Sequence, residues 1–206
     1  MPSRIVLPHL TVEQSLWQQG LQIVAGVDEV GMGPLAGPVV AAAVVFPASA
    51  SLESLPQGVR DSKTLTANAR ERLEQEIRHA ASGVGVGLVE VEEIDEINIY
   101  QAGLKAMRLA LAELPLAPEH VLVDGRALPD LSCPQTRCIK GDRHIYSIAA
   151  ASIVAKVYRD RLMRALHELY PQYGFARHMG YGTAAHREAI RQFGPCPAHR
   201  RSFRLV

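Results

Sequence analysis

Four acidic residues stand out because of where they occur in the sequence. Asp28 and Glu29 are adjacent inside the apolar and glycine-rich stretch IVAGVDEVGMGPLAGPVVAAAVVF. Ionised carboxylates are costly to remove from water unless they are paired or bound to a metal, so two in a core-like segment require partners. Asp124 closes VLVD and Asp142 closes CIKGD, each beside a glycine. If the four converge, hard divalent cations such as Mg²⁺ or Mn²⁺ would relieve their mutual repulsion.

Two considerations oppose this interpretation. Each aspartate could be an ordinary turn or cap residue. Adjacent strand residues also point to opposite faces of a sheet, so Asp28 and Glu29 can serve one site only at the end or a bend of a strand. The nearby glycines favour a bend and let backbone amides approach a ligand. Gly31, Gly33 and Gly37 do not form a dinucleotide fingerprint, because their spacing is one residue too long and an apolar strand follows them.

The hydrophobic pattern predicts the elements that would position these acids. QIVAGVDE and PVVAAAVVF are typical of two strands joined by a turn, and residues 83–90 of a third. Helical spacing over residues 97–114 predicts a helix stopped by Pro115, and a longer helix is expected from Ser147 to Tyr170. Short strands are expected at 120–125 and 136–142. This order indicates an α/β fold in which helices pack on a mixed sheet.

Charge is unevenly distributed along the 206 residues. Residues 1–136 contain 9 Lys and Arg against 17 Asp and Glu, whereas residues 137–206 contain 13 against 4. This asymmetry predicts an acidic centre beside a basic surface suited to a polyanion, although a merely solvated basic face would give the same counts. No apolar run approaches the ~20 residues that span a bilayer, and no signal-peptide core is present, so a cytoplasmic protein is expected.

Seven blocks in the sequence resemble, in order, the motifs of the ribonuclease HII family. They are AGVDEVGMGPLAGPVVAAAV, DSKTL, VLVDG, KGD, AASIVAKVYRD, YPQYGFARHMGYGT and HRRSF, spread over residues 23–203. The resemblance implies an RNase H-like fold, with a mixed five-stranded sheet flanked by helices. A single domain over 1–206 is expected, with a core at about 21–170 and a C-terminal helical region at about 171–206.

The resemblance also implies an activity. Members of the family hydrolyse the RNA strand of RNA/DNA hybrids and cut on the 5′ side of a single ribonucleotide in duplex DNA. The family's four acids correspond to Asp28, Glu29, Asp124 and Asp142. In this interpretation two Mg²⁺ or Mn²⁺ ions hold the scissile phosphate, and the products carry 3′-hydroxyl and 5′-phosphate ends. No obligate protein partner is evident, and a monomer is expected.

Recognition of RNA is expected from a glycine turn and a tyrosine. The family's Gly-Arg-Gly turn corresponds to Gly31, Met32 and Gly33, and its stacking tyrosine to Tyr181, which could alternatively be a loop aromatic that anchors the C-terminal region. Met32 replaces the arginine, and Met179 replaces a lysine usual before the tyrosine. We therefore expect weaker substrate binding or weaker discrimination of a lone ribonucleotide than an arginine would give.

Several other polar residues are candidate phosphate contacts, although exposed Lys and Arg are usually just solvated. They are Ser62, Lys63, Lys156, Arg159 and Arg200. His178, His186 and His199 are poorer metal ligands because hard cations prefer oxygen. Without the resemblance, the acids and the basic half would also fit a phosphatase or a nucleic-acid-binding module. With it, the alternatives are a catalytically weakened hybrid-binding module or another two-metal nuclease of this fold, such as a junction resolvase.

Overall fold

A five-stranded mixed sheet forms the centre of the protein. The computed structural model describes residues 7–206. The strands are β1 (Val24–Val30), β2 (Val39–Val45), β3 (Gly83–Val89), β4 (His120–Asp124) and β5 (Gln135–Cys138), and their order in the sheet is β3-β2-β1-β4-β5. β1, β2 and β3 pair antiparallel, whereas β4 is parallel to both β1 and β5. The predicted mixed sheet is therefore confirmed.

Six helices accompany the sheet in the described part of the chain. They are α1 (Thr11–Gln18), α2 (Ala67–Ala80), α3 (Val91–Ala112), α4 (Tyr146–Leu169), α5 (Phe175–His178) and α6 (Ala184–Phe193). The prediction for α4 is confirmed to within one residue at each end. Within residues 7–206, no helix combines the length and the apolar character that a membrane crossing requires.

Strand β2 is buried on both faces because helices cover both sides of the sheet. Val40, Ala42 and Val44 join the apolar cluster that contains α4 and α2, while the alternate residues join the cluster that contains α3. This two-residue alternation follows directly from the pleat of a strand. The small residues Ala149–Ala151 of α4 are fully buried, as expected for a helix that lies close to the sheet.

Helix α3 begins six residues earlier than predicted and contains a break. Asn98 adopts left-handed φ 69° within it, and its Oδ1 accepts hydrogen bonds from the amides of Tyr100 (3.0 Å) and Gln101 (3.1 Å). Asn98 therefore caps the second part of the helix, as an N-cap residue does. The predicted start at residue 97 marks this second part.

The second prediction that needs correction concerns the strand at 136–142. β5 ends at Cys138, and the chain then turns through Lys140, at φ 56°, into a single 3₁₀ turn over Gly141–Arg143. Asp142 therefore lies in the turn that leads into α4 and does not end a strand. The predicted strand is therefore two elements. Its first residues form the end of β5, and its last residues, from Gly141, form a turn.

Candidate active site

The parallel pairing of β1 and β4 places two of the acids side by side. The last pair in this ladder is Val27 with Val123, and Asp28 and Asp124 follow directly on the two strands. The two carboxyl groups are close enough for each to influence the pKa of the other. The carboxyl ends of strands in open α/β sheets are where ligands usually bind.

Asp28 and Glu29 reach this edge from opposite faces of β1. Asp28 is buried near Ser152 of α4, while Glu29 lines a cavity beside Gly103 of α3. The Oδ1 of Asp28 also accepts from the amide of Glu29 at 2.8 Å. Opposite orientation is what the pleat requires, and the two can serve one region because both lie within the last three residues of the strand.

The fourth acid is tied to the third through a backbone hydrogen bond. The amide of Gly141 donates to Oδ1 of Asp124 at 2.6 Å, so the turn that carries Asp142 is held against the end of β4. A Cβ on Gly141 would overlap the side chain of Ile148, which explains why glycine precedes the acid here. Asp142 is itself 6% exposed.

All four carboxyl groups have a raised pKa. Burial is the largest cause in each case, and repulsion from neighbouring acids adds to it at Asp28, Glu29 and Asp142. The pKa of Glu29 rises to about 7, and that of Asp28 lies well above its ordinary value. Nearby Lys63 opposes the shift at Glu29, Asp124 and Asp142. A shared positive charge would favour ionisation of the whole group.

The oxygen-only donor set suits a hard divalent cation in its chemistry. In the conformation described for residues 7–206, however, no three His, Cys, Asp or Glu side chains are arranged so that they could hold a metal ion. Two carboxylate oxygens already accept backbone hydrogen bonds, namely Oδ1 of Asp28 and Oδ1 of Asp124. Metal binding by these acids therefore requires rotation of side chains and stays a prediction.

Two buried arginines hold the loop between β1 and β2. Arg200 donates to the carbonyls of Gly31 (2.7 Å), Met32 (3.4 Å), Pro34 (2.9 Å) and Gly37 (2.7 and 2.9 Å). The structure leaves Arg200 0% exposed, and Phe203 lies 5.2 Å below its guanidinium group. Burial lowers the pKa of Arg200 to about 9, and these hydrogen bonds offset that cost.

Arg159 of α4 also holds this loop through hydrogen bonds to backbone carbonyls. It donates to the carbonyls of Pro38 (2.9 Å), Ala36 (3.0 Å) and Met179 (3.0 Å), and it is 0% exposed. The prediction that Arg159 and Arg200 contact phosphate is therefore corrected, because backbone carbonyls occupy their donors. The two arginines position the loop between β1 and β2, called the glycine loop below, and attach it to the C-terminal region.

Two further residues that were predicted to contact phosphate, Ser62 and Lys156, also bond to other side chains of the protein. The hydroxyl of Ser62 is buried and lies 3.0 Å from that of Ser152, so it does not face solvent. Lys156 forms an ion pair with Asp160 at 2.6 Å on one helix face, and its side chain is 15% exposed. Of the predicted phosphate contacts, Lys63 is the exposed one.

The structure brings the glycine loop and Tyr181 together. Tyr181 is 45% exposed, and a Cβ built on Gly33 would be 3.7 Å from its Cε1 atom. The amide of Leu35 donates to the carbonyl of Gly180 at 2.8 Å. Met32 points away from this pair and packs against Gly103, where a Cβ would lie 2.9 Å from its sulfur.

A cavity of about 230 Å³ adjoins the acids, and sequence reasoning missed two residues that line it. Glu29 and Asp124 line it together with Tyr100 and Arg126. The guanidinium group of Arg126 lies 4.5 Å from the centre of the Tyr100 ring. Arg126 could have been found because it follows the strand end at Asp124; nothing in the spacing marked Tyr100.

Comparison with known proteins agrees with this architecture. The ribonuclease H2 from Pyrococcus horikoshii has a similar structure, with a TM-score of 0.76 and 30% sequence identity, covering 89% of this chain and 94% of that one. The fold and the acids together define an RNase H-like hydrolase.

The sequence comparisons make the assignment specific. The family model for ribonuclease HII matches residues 25–206. The ribonucleases HII of Geobacillus kaustophilus and Acetivibrio thermocellus are 54% and 51% identical over 194 and 191 residues, covering 94% and 93% of this chain and 73% of each relative. The chain belongs to the ribonuclease HII family and is a ribonuclease H.

Proposed function

We propose that this protein is an endoribonuclease that hydrolyses the RNA strand of RNA/DNA hybrids and cuts on the 5′ side of single ribonucleotides in duplex DNA. The observation that carries the proposal is the convergence of Asp28, Glu29, Asp124 and Asp142, whose pKa values are all raised, chiefly by burial. Perturbed acids at a strand end are typical of a catalytic centre. The substrate follows from family membership and from the exposed Tyr181 beside Gly33.

The same four acids would hold Mg²⁺ or Mn²⁺, with two ions expected when substrate is bound. Such ions, when bound, neutralise charge on the scissile phosphate and activate water for attack, which leaves 3′-hydroxyl and 5′-phosphate ends. The chain's own contribution is to concentrate carboxylates that repel one another until a cation arrives. The Gly141 amide orients one of them, Asp124.

Substrate recognition falls to groups beside the acids, of which Gly33, Tyr181 and Lys63 are exposed. The backbone of Gly31–Gly33 would lie against the 2′-hydroxyl, which distinguishes RNA from DNA. The ring of Tyr181 would stack on the neighbouring sugar, and the exposed Lys63 would contact a phosphate. Arg159 and Arg200 keep the loop in place for this contact through its carbonyls.

The decisive experiment uses three duplexes of one sequence that contain one ribonucleotide, four ribonucleotides or none, each incubated with Mg²⁺ and with Mn²⁺. We expect cleavage of the first two, 5′ of the ribonucleotide in the first, and none of the third. Asp124→Asn should abolish cleavage, whereas Asp130→Asn, an exposed acid on the following loop, should not. Equal cleavage of the all-DNA duplex would contradict the proposal, as would full activity of Asp124→Asn.

A further inference from the structure

Three histidines that the proposed chemistry does not use lie together beneath Tyr181. His186 of α6 and His199 of the C-terminal turn are 0% and 1% exposed. His178 stacks on His186, with ring centres 4.4 Å apart, and Phe175 meets His186 edge to face at 5.5 Å. Buried polar side chains of this kind need hydrogen-bond partners. In this cluster the hydrogen bonds of His186 and His199 all have the same donor-to-acceptor direction.

The direction is set at one end by a backbone amide. The N–H of Cys196 donates to Nδ1 of His199 at 3.0 Å, so this nitrogen is an acceptor and the ring proton is on Nε2. Donation from Nδ1 to the Cys196 carbonyl, which is 3.3 Å away, would instead set two protons against each other. The Nε2–H of His199 then faces Nε2 of His186 at 3.1 Å.

At the other end the direction is set by a carbonyl. The backbone carbonyl oxygen of Tyr181 can only accept a hydrogen bond, and Nδ1 of His186 lies 2.9 Å from it. His186 therefore carries its proton on Nδ1, and its Nε2 accepts the hydrogen bond from His199. The tautomer of each ring follows from what its other nitrogen contacts. Hydrogen bonds thus run from the Cys196 amide through both rings to Tyr181.

Both rings must be neutral for this arrangement to exist. A second proton on either would place two N–H groups face to face between the Nε2 atoms or remove the acceptor for Cys196. Burial lowers the pKa of His199, and it lowers the pKa of His186 to about 4. The charged neighbour Arg187 and the rings of His178 and His199 act in the same direction on His186.

We propose that His186 and His199 are positioning residues that fix the backbone of Tyr181, and through it the ring that meets the ribose. This inference rests on the role of Tyr181 in the proposed function. The peptide needs support because it follows Met179, at φ 49°, and Gly180, at φ 83°. Its ring is exposed, so packing alone does not hold it.

Two measurements test the inference. In the long-range ¹H–¹⁵N spectrum of the wild-type protein, we expect the Nδ1–H tautomer for His186 and the Nε2–H tautomer for His199. The reverse tautomer at His186 would overturn the hydrogen-bonded chain. This spectrum does not depend on what Tyr181 recognises, so it separates the two proposals.

The second measurement is a double-mutant cycle on the duplex with one ribonucleotide. His186→Leu should lower kcat/KM about threefold to tenfold, the effect of one lost hydrogen bond, while His186→Asn, which keeps a donor, should restore most of it. In a Tyr181→Ala background His186→Leu should have no further effect. The exposed His79→Leu is the matched control.

An equal loss in both backgrounds would overturn the positioning role, because it would show that His186 acts on stability alone. Wild-type activity of Tyr181→Ala would overturn the proposed role of Tyr181 and the positioning role with it, while the tautomers would still report on the chain itself.

Discussion

Gly33 lies against Tyr181, although the two residues belong to opposite ends of the chain. A Cβ on Gly33 would be 3.7 Å from Cε1 of the tyrosine, which is ordinary van der Waals contact. Gly33 is exposed, so an added methyl group fits the protein but covers the surface where we place the ribose.

Gly33→Ala should therefore keep its stability and lose activity. We expect a melting temperature close to that of the wild type and a loss of roughly tenfold or more in kcat/KM on the duplex with one ribonucleotide, because a small misplacement at the reacting bond is costly. Steady-state kinetics and thermal unfolding of the same preparation check this. Unchanged kinetics would remove Gly33 from the recognition surface.

Gly31→Ala should instead lose stability, and it is the matched comparison for Gly33→Ala. Gly31 has φ +97°, and a Cβ would overlap Nε of Arg159. The left-handed backbone alone costs ~1–3 kcal/mol for a residue with a side chain, and the overlap adds to it. Urea unfolding should show a clearly lower free energy of unfolding. A stability equal to that of Gly33→Ala would show that the loop is not held as described.

Arg200→Lys should destabilise the protein even though it keeps the charge. Lysine cannot reproduce the five hydrogen bonds of the guanidinium group to loop carbonyls, and we expect a loss of ~3 kcal/mol in the free energy of unfolding. Arg191→Lys is the control, because Arg191 forms an ion pair with Glu188 in which both side chains are exposed, and it should change stability by less than ~1 kcal/mol. Similar values for the two variants would count against the buried role of Arg200.

Met32→Arg should strengthen substrate binding. A guanidinium group at this turn could contact a phosphate, and a charge-assisted hydrogen bond contributes ~1.5–3 kcal/mol, which is at least tenfold in affinity. Met32 is partly exposed and packs on Gly103, so the longer side chain has room to turn outward. Binding to a duplex with one ribonucleotide, measured with Asp124→Asn to prevent cleavage, checks this; equal affinity would refute it.

Lowering the pH should reduce the free energy of unfolding more in the wild type than in His186→Asn. Burial lowers the pKa of His186 from 6.5 to about 4, so the unfolded chain binds a proton on this residue between these values and the folded protein does not. This contribution to stability is complete above pH 6.5 and is lost as the pH falls towards 4. The comparison with the variant cancels the contribution of the four acids, whose raised pKa values act in the opposite sense. Parallel curves of unfolding free energy against pH would contradict the prediction.

Much of the sheet and of the site could be predicted because the signals are local. The alternation in β2, the small residues of α4 and the acids after Val27 and Val123 all reflect nearest neighbours along the chain or across one ladder. The break at Asn98 and the turn before Asp142 were missed, since each depends on a single residue with positive φ inside a pattern that otherwise continues.

The sequence by itself determined to which family the chain is similar, and it predicted which carboxylates form the centre. Both follow from local spacing, in which the ordered motifs and the strand ends can be recognised. Only the tertiary structure decided what Arg159, Arg200, Ser62 and the buried histidines do. An arginine has the same sequence signature whether it meets a phosphate or a carbonyl, and the carbonyls that occupy these two belong to segments more than a hundred residues away or to the C-terminal region. Burial, a property of the folded chain, separates these roles.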